Sequence, residues 1–79
     1  SDELIMIQGI IDAFFYEGED IILVDYKTDF VMKGQEEKLV ERYKTQLDYY
    51  ARALESVTGK RVREKLIYSF SLGKIIEVG

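Results

Sequence analysis

Residues 10–27 read IIDAFFYEGEDIILVDYK, two apolar runs on either side of a short acidic turn that contains one glycine. Ile, Val, Phe and Tyr are typical of strands, and the cluster Glu17-Gly18-Glu19-Asp20 between the runs indicates a turn. We therefore predict two strands, over residues 4–16 and 21–27. A two-residue loop at Gly18-Glu19 would join them as a hairpin, because glycine at the first loop position suits a type II′ turn.

A loop over residues 28–34 and then a long segment without glycine or proline, residues 35–57, follow the hairpin. The apolar residues of this segment recur at alternating steps of 3 and 4, which predicts an amphipathic helix. The stripe expected to face the core consists of Val40, Tyr43, Leu47, Tyr50, Leu54 and Val57. Thr58-Gly59 predicts the helix end, and two further strands are expected over residues 66–72 and 74–78. The order β-β-α-β-β predicts an α/β fold, a mixed sheet with one long helix packed on it.

The composition limits the chemistry open to these 79 residues, of which 47% are hydrophobic and 33% charged, an ordinary globular balance with a formal net charge of −4. The sequence has no cysteine and no histidine. That absence excludes disulfides, thiolate zinc sites, iron–sulfur clusters and a serine–histidine triad within the chain. No apolar run approaches the ~20 residues of a membrane span, so we expect no membrane partner. The chain opens on Ser1, and we expect a piece of a longer protein rather than a small processed one.

Asp12 and Asp25 are the carboxylates that this hairpin would bring together. In the two-residue-loop register Tyr16 faces Ile21, and Asp12 faces Asp25. Opposed carboxylates repel each other and are costly to bury in apolar runs unless a cation compensates. Lys27 shares the face of Asp25, and a divalent ion would supply the remaining positive charge. Carboxylates and carbonyls without His or Cys suit Mg²⁺ or Mn²⁺ rather than zinc.

Two of these features also have structural interpretations. Asp25 and Lys27 could form a simple ion pair with Asp12 at a solvated edge, since a longer loop would break the opposition of the two carboxylates. The basic stretch over residues 60–65 could contact phosphates, or it could be an edge strand protected by its charge. The spacing favours the metal site over the simple ion pair, whereas for the basic stretch it does not choose between the two alternatives.

Gln46 and Tyr50 are neighbours on the helix surface, at positions i and i+4 beside the apolar stripe. A glutamine at the border of a buried face could reach a nucleotide or a metal-bound water. The pattern by itself favours the other interpretation. In it Gln46 is a solvated flank residue, and Tyr43, Tyr49 and Tyr50 belong to the core with hydroxyls in water.

Three motifs, in order, resemble the nuclease core of the PD-(D/E)XK superfamily and, more narrowly, the RecB-type nuclease domain. They are Gly9-Ile10-Ile11-Asp12, Asp25-Tyr26-Lys27-Thr28 and Gln46-Leu47-Asp48-Tyr49-Tyr50. Residues 8–15, 24–29 and 68–70 are most similar to the C-terminal nuclease region of the AddA-type (RexA) family of bacterial helicase–nucleases. The resemblance covers nearly the whole chain. It implies a restriction-endonuclease-like β-β-α-β-β core, with residues 1–79 as a single fragment of a nuclease domain.

The resemblance also implies roles for the motif residues. The metal would be Mg²⁺, for which Mn²⁺ can substitute, and its ligands would be Asp12, Asp25 and the main-chain carbonyl of Tyr26. Lys27 would position or help deprotonate the attacking water and stabilise the charge that builds on the phosphate. Gln46 and Tyr50 match a Gln-X-X-X-Tyr motif that supports the site near the substrate.

The activity implied is that of a metal-dependent DNA exonuclease, part of an ATP-dependent helicase–nuclease that processes DNA ends in bacterial cytoplasm. The implied partners are DNA, the remainder of the parent chain and a partner subunit. The family's site includes an acidic or histidine ligand from an upstream helix, whereas only Asp2 and Glu3 are acidic before the first strand. We therefore expect weak or undetectable nuclease activity from this piece alone. The rival hypothesis is a non-catalytic α/β module that docks a protein or single-stranded DNA, with Asp12, Asp25 and Lys27 as a structural ion-pair network.

Overall fold

The computed structural model describes residues 13–79, and within them it shows one helix packed on a four-stranded sheet. The elements are β1 (Ala13–Glu17), β2 (Asp20–Lys27), α1 (Glu36–Thr58), β3 (Val62–Ser69) and β4 (Lys74–Glu77). The strand order is β1-β2-β3-β4, with β2 parallel to β3 and both outer pairs antiparallel. The helix is the crossover that a parallel pair requires. The predicted α/β class, with a mixed sheet and one long helix, is confirmed.

The β1–β2 hairpin has the predicted loop. Glu17 pairs with Asp20, which leaves two residues in the loop, and the register continues to Ala13 opposite Val24. Gly18, the first loop residue, has a φ of 63°, the positive value that this position of a type II′ turn needs. The predicted register is therefore confirmed along the whole of β1.

Two expectations lie outside the described residues. One is the part of the first strand predicted over residues 4–12, and the other is the pairing of Asp12 with Asp25. The described part of this strand ends at Glu17, one residue beyond the predicted end.

Helix α1 begins one residue later and ends one residue later than predicted. Glu36 and Glu37 lie in its first turn, where negative charge interacts favourably with the helix dipole. Gly59 follows the last turn in the left-handed conformation, with φ 69°, and donates its backbone N–H to the Glu55 carbonyl at 2.9 Å. The predicted helix end is thus confirmed. No helix within residues 13–79 is long and apolar enough to cross a membrane.

The buried face of α1 packs on one face of the sheet in two apolar clusters. The cluster nearer the hairpin consists of Ile21, Leu23, Ala51 and Leu54. The second consists of Val31, Leu39, Leu47, Ile67, Ile76 and Val78. Leu47 and Leu54 of the predicted stripe are fully buried, but Tyr43 and Tyr50 lie at the border and Leu39 and Ala51 are buried in their place. A border position suits tyrosine, because its ring can pack while its hydroxyl reaches a polar partner.

The predicted bounds of the third strand, residues 66–72, are wrong, since β3 begins at Val62 and ends at Ser69. The charged residues before Leu66 look like a loop in sequence, but their charges are compensated in the fold. Arg63 pairs with Glu17 on β1, and Lys65 pairs with Asp48 on α1. Pairing with β2 from Val62 onward keeps this charged segment in the strand, at positions where the sequence suggested a solvated connection.

The interpretation of residues 60–65 as an edge strand holds only in part. β3 lies between β2 and β4, but β4 pairs with it only from Leu66 to Ser69. Residues 62–64 therefore have β2 on one side, and no β4 residue pairs with them on the other. The alternative of phosphate contacts stays a prediction, although Arg63 and Lys65 of this stretch pair with carboxylates.

The loop after β2 and the turn after β3 are tied together at one edge of the sheet. The Val31 N–H donates to the Ser71 hydroxyl oxygen at 3.0 Å, and that hydroxyl lies 3.0 Å from the Val31 carbonyl that accepts from it. The Phe70 N–H donates to the Lys27 carbonyl at 3.1 Å, which extends the parallel pairing by one step. These bonds order the carboxyl ends of β2 and β3, where the candidate site lies.

Candidate functional site

The candidate site begins with Asp25 and Lys27 at the carboxyl end of β2. Strand residues alternate faces, so both side chains share the face of Ile21 and Leu23, which packs against α1. Asp25 is buried, with 4% of its surface exposed, and Lys27 Nζ lies 3.1 Å from Asp25 Oδ2. An uncompensated buried carboxylate is costly, and the ammonium lowers that cost. This ion pair is common to the metal-site hypothesis and to its structural alternative, so it does not choose between them.

Gln46 on α1 completes a three-residue contact across the helix–sheet interface. Lys27 Nζ donates a hydrogen bond to Gln46 Oε1 at 3.1 Å. The structure thus brings together Asp25, Lys27 and Gln46, three of the predicted site residues. The interpretation that the pattern favoured, Gln46 as a solvated flank residue, is wrong. The reason is that α1 packs with its Gln46 side turned to the end of β2, a relation that one helix's periodicity cannot reveal.

The tyrosines of the motifs lie in different places. Tyr49 is 59% exposed, so its expected place in the core is wrong. Tyr50 is half-buried and packs against the apolar cluster nearer the hairpin. The Tyr26 side chain lies on the opposite face of the sheet from α1, where its ring centroid is 6.2 Å from that of Tyr68 and 6.0 Å from that of Phe70. Tyr26 could therefore serve the site only through its main chain.

Tyr43, Asp29 and Arg42 form a second layer that sequence reasoning missed. Lys27 Nζ lies 4.0 Å from the centroid of the Tyr43 ring, within the range of a cation–π interaction. The Tyr43 hydroxyl lies 2.9 Å from both carboxylate oxygens of Asp29, to which it donates, and Arg42 Nη1 lies 2.6 Å from Asp29 Oδ2. A signal was available, because Tyr43 precedes Gln46 by three residues and so lies on the same side of the helix.

The electrostatics of this second layer favour an ionised Asp29. The hydrogen bond from Tyr43, together with the bond and charge of Arg42, lowers the pKa of Asp29 below its usual range. Burial and the neighbouring Asp29 charge raise the pKa of the Tyr43 hydroxyl. Both effects keep the hydroxyl protonated and the carboxylate charged near neutral pH, so the hydrogen bond persists there.

The donor chemistry suits a hard divalent ion, but the described residues supply only part of a site. A carboxylate and main-chain carbonyls without imidazole or thiolate are ligands typical of Mg²⁺. Within residues 13–79, no three Asp, Glu, His or Cys side chains lie close enough together to hold a metal ion. Asp25 is the buried carboxylate among them. Asp12, the predicted second ligand, lies outside the described residues.

The fold and site define a class of α/β protein with a buried carboxylate and a lysine at the end of a central strand, bridged to a helix. No family model matches the chain. The chain is homologous to segments of curated proteins whose name is that of the A subunit of an ATP-dependent helicase/nuclease. It is 53% identical over 76 residues to that of Thermoanaerobacter sp. (strain X514) and 55% identical over 78 residues to that of Lachnoclostridium phytofermentans. It is 53% identical over 77 residues to that of Clostridium novyi (strain NT).

These matches cover 96%, 99% and 98% of this chain respectively, but only 6% of each relative. The chain therefore spans a small part of the length of the proteins it resembles. The expected similarity to helicase–nucleases is confirmed at that level. The names of the relatives state two activities, helicase and nuclease, and do not say which of the two this segment serves.

Proposed function

We propose that this chain is part of the nuclease domain of an ATP-dependent helicase/nuclease, with a restriction-endonuclease-like core of the PD-(D/E)XK type. The reaction is metal-dependent hydrolysis of DNA phosphodiester bonds, as an exonuclease that processes ends in double-strand break repair and recombination. The observation that carries the proposal is the contact of Lys27 with both Asp25 and Gln46. The names of the homologous proteins support it, since they include a nuclease activity.

The metal ligands in this proposal are Asp25, Asp12 and the main-chain carbonyl of Tyr26. The β1–β2 register, continued by one residue beyond Ala13, would set Asp12 opposite Asp25. Two carboxylates there would repel each other unless a cation lay between them. Mg²⁺, or Mn²⁺ in its place, would polarise the phosphate and lower the pKa of a bound water.

Lys27 supplies the positive charge that the protein itself brings to the reaction. Asp25 and Gln46 hold its ammonium on the helix side of the sheet, where only 17% of the side chain is exposed. An ammonium fixed in a partly dry site stabilises negative charge on a phosphate more strongly than one in water. Lys27 would also orient the attacking water. Gln46 holds Lys27, and Tyr50 anchors the same helix to the core. The partners proposed are DNA, the rest of the parent chain and its partner subunit.

The first test is the change of Asp25 to Ala in the full-length helicase/nuclease with its partner subunit. We expect cutting of linear DNA to fall to background while ATP-driven unwinding stays near the wild-type rate, because the change removes a metal ligand in one domain only. Glu41→Ala, on the exposed side of α1, is the control for a lost carboxylate. DNA degradation at the wild-type rate by the Asp25→Ala enzyme would show that the site is wrong.

Lys27→Ala separates metal binding from chemistry in the same enzyme. We expect Mn²⁺ affinity to be retained and the cleavage rate to fall by ~100-fold or more, the usual effect of removing one group that stabilises transition-state charge. Loss of metal binding in this variant would assign Lys27 a structural role. The rival binding module predicts that neither Asp25→Ala nor Lys27→Ala alters cleavage.

A further inference from the structure

We propose that Tyr43 is a positioning residue for Lys27, and that Asp29 holds the Tyr43 ring in place to do so. The inference rests on the proposed function, because it concerns how Lys27 is aimed in the nuclease reaction. Neither Tyr43 nor Asp29 has a role in the metal site proposed above.

Three side chains surround the Lys27 ammonium. Lysine carries its charge at the end of a flexible four-carbon stem, so it needs several contacts to hold one position. Asp25 and Gln46 each lie 3.1 Å from Nζ, and the Tyr43 ring centroid lies 4.0 Å away. The Asp25 carboxylate forms an ion pair with the ammonium and Gln46 accepts a hydrogen bond from it, whereas the ring contacts it through an apolar surface that attracts cations. The Tyr43 ring therefore limits movement of the Lys27 ammonium on the side that the ring occupies, where water would otherwise lie.

The Tyr43 ring is itself held in place by apolar packing and by hydrogen bonding. Tyr43 is half-buried against the second apolar cluster, and its hydroxyl donates to the Asp29 carboxylate at 2.9 Å. Arg42 binds the same carboxylate at 2.6 Å. Asp29 follows Lys27 by two residues along the chain, so Tyr43 contacts the same short segment at both residues. The end of β2 is thus tied to α1 twice, once through Lys27 on the ring and once through the Asp29–Tyr43 bond.

A positioning role and a purely packing role for Tyr43 have different kinetic consequences. If Tyr43 served only the core, its replacement would lower stability, and unwinding and cleavage would decline together with the amount of folded enzyme. If it positions Lys27, its replacement lowers the kcat of cleavage alone, because misplacing a charged group by ~1 Å can slow a reaction ~100-fold without changing substrate binding. The DNA KM and the rate of unwinding then stay constant.

The experiment measures cleavage of linear double-stranded DNA at saturating Mg²⁺ by the full-length helicase/nuclease with its partner subunit. Tyr43→Leu removes the ring face, and Tyr43→Phe keeps it while losing the hydroxyl. We expect Tyr43→Leu to lower the kcat of cleavage by ~10-fold or more, with KM and unwinding unchanged. Tyr43→Phe should recover most of that loss. Tyr16→Leu is the matched control, since Tyr16 is exposed on β1 with Lys60 Nζ 5.9 Å from its ring centroid.

Asp29→Ala tests the same idea without altering the core, because Asp29 lies in the loop after β2. We expect a loss in kcat at least as large as that of Tyr43→Phe, since Asp29→Ala also removes the Arg42 contact. Adding Tyr43→Phe to Asp29→Ala should cause no further loss, because the Tyr43–Asp29 bond is already broken. Losses that add in the double variant, or a wild-type kcat in Tyr43→Leu or Asp29→Ala, would overturn the inference. So would a Tyr43→Phe enzyme as slow as Tyr43→Leu.

Lys27→Ala in the same assay distinguishes failure of this inference from failure of the proposed function. If Lys27→Ala abolishes cleavage and Tyr43→Leu does not lower kcat, only the positioning role is lost. If Lys27→Ala itself cleaves at the wild-type rate, the nuclease assignment fails, and the role of Tyr43 fails with it.

Discussion

Asp25 and Asp29 show how two carboxylates four residues apart come to have different tasks. Asp25 is buried on the strand, beside the ammonium of Lys27. Asp29 lies in the loop, where a hydroxyl and a guanidinium from α1 both bind it. A buried carboxylate gains most from a further cation, because its charge is costly away from water. Protein donors already satisfy Asp29. We propose metal binding for Asp25 because the β1–β2 register would bring Asp12 opposite it, and a structural task for Asp29 because it binds the Tyr43 hydroxyl.

The contacts of the Asp29 carboxylate predict a low pKa for this group. We expect it to lie below the usual value of ~3.9, since the Tyr43 hydrogen bond and then Arg42 favour the charged form. Because the folded-state pKa is lower than the unfolded one, the stabilisation is complete above the unfolded pKa and is lost as the pH falls through the folded pKa. Tyr43→Phe should move the Asp29 pKa upward. A carbon-detected NMR titration of the carboxyl groups in both proteins measures it.

The dependence of the unfolding free energy on pH checks the same prediction. The difference in unfolding free energy between wild type and Asp29→Asn should be largest above pH ~4 and should narrow below it. An Asp29 pKa that is the same in wild type and in Tyr43→Phe would contradict the assigned cause.

Among the elements, α1 is the one that builds the site, because it carries both Gln46 and Tyr43 to the end of β2. Its position depends on Leu47, which is fully buried in the second apolar cluster. The Asp48–Lys65 ion pair ties the adjacent part of the helix to β3. Packing therefore holds the helix in place, and the polar contacts of the site follow from that placement.

Leu47→Ala tests how far the site depends on helix packing. Truncating a fully buried leucine costs ~2–5 kcal/mol, against a total of ~4–12 kcal/mol expected for a domain of this size. We therefore expect a large fall in the unfolding free energy, measured by denaturant titration followed by circular dichroism. Lys44→Ala, on the exposed side of the same helix, should change stability by no more than ~0.5 kcal/mol. Equal effects from the two changes would show that Leu47 does not anchor the helix.

On the scale of the whole molecule, the sheet has one covered face and one face that exposes apolar side chains. α1 covers the face of Ile21 and Leu23, and the opposite face carries Phe15, Tyr26 and Ile75, each about half exposed. Exposed apolar side chains grouped on one face are typical of interaction surfaces. The relatives are far longer than this chain, so other parts of such a protein are available to cover this face.

The proposed pair of carboxylates, Asp12 and Asp25, predicts that the 79-residue chain binds a divalent metal ion. We expect calorimetric titration with Mn²⁺ to show weak saturable binding that Asp12→Ala and Asp25→Ala each remove, because both carboxylates are needed to offset the desolvation of the ion. Asp29→Ala is the matched control, since protein donors already occupy that carboxylate. Binding that survives Asp25→Ala would contradict a shared site. If wild type binds no metal but a chain extended at its N-terminus does, an upstream ligand is required.

Local features of this protein could be predicted from its sequence. The hairpin loop, the β1–β2 register and, to within one residue, the ends of α1 were correct, because turn chemistry, alternation and helical periodicity depend on residues close together in the chain. Asp25 and Lys27 were correctly placed on one face for the same reason. The pairing of Asp12 with Asp25 belongs to the same register and stays a prediction.

Only the tertiary structure decided which distant residues meet. β3 starts early because β2, far away in the sequence, pairs with it from Val62 onward. Gln46 reaches Lys27, and Tyr43 covers it, because burial of Leu39 and Ala51 sets the rotation of α1 on the sheet. A periodic pattern defines the buried face of a helix only to within a residue or two. Packing against residues distant in the sequence then selects the rotation of the helix about its axis. The placement of Asp25 and Lys27 on one face could therefore be predicted from the sequence, whereas the contacts that hold Lys27 could not.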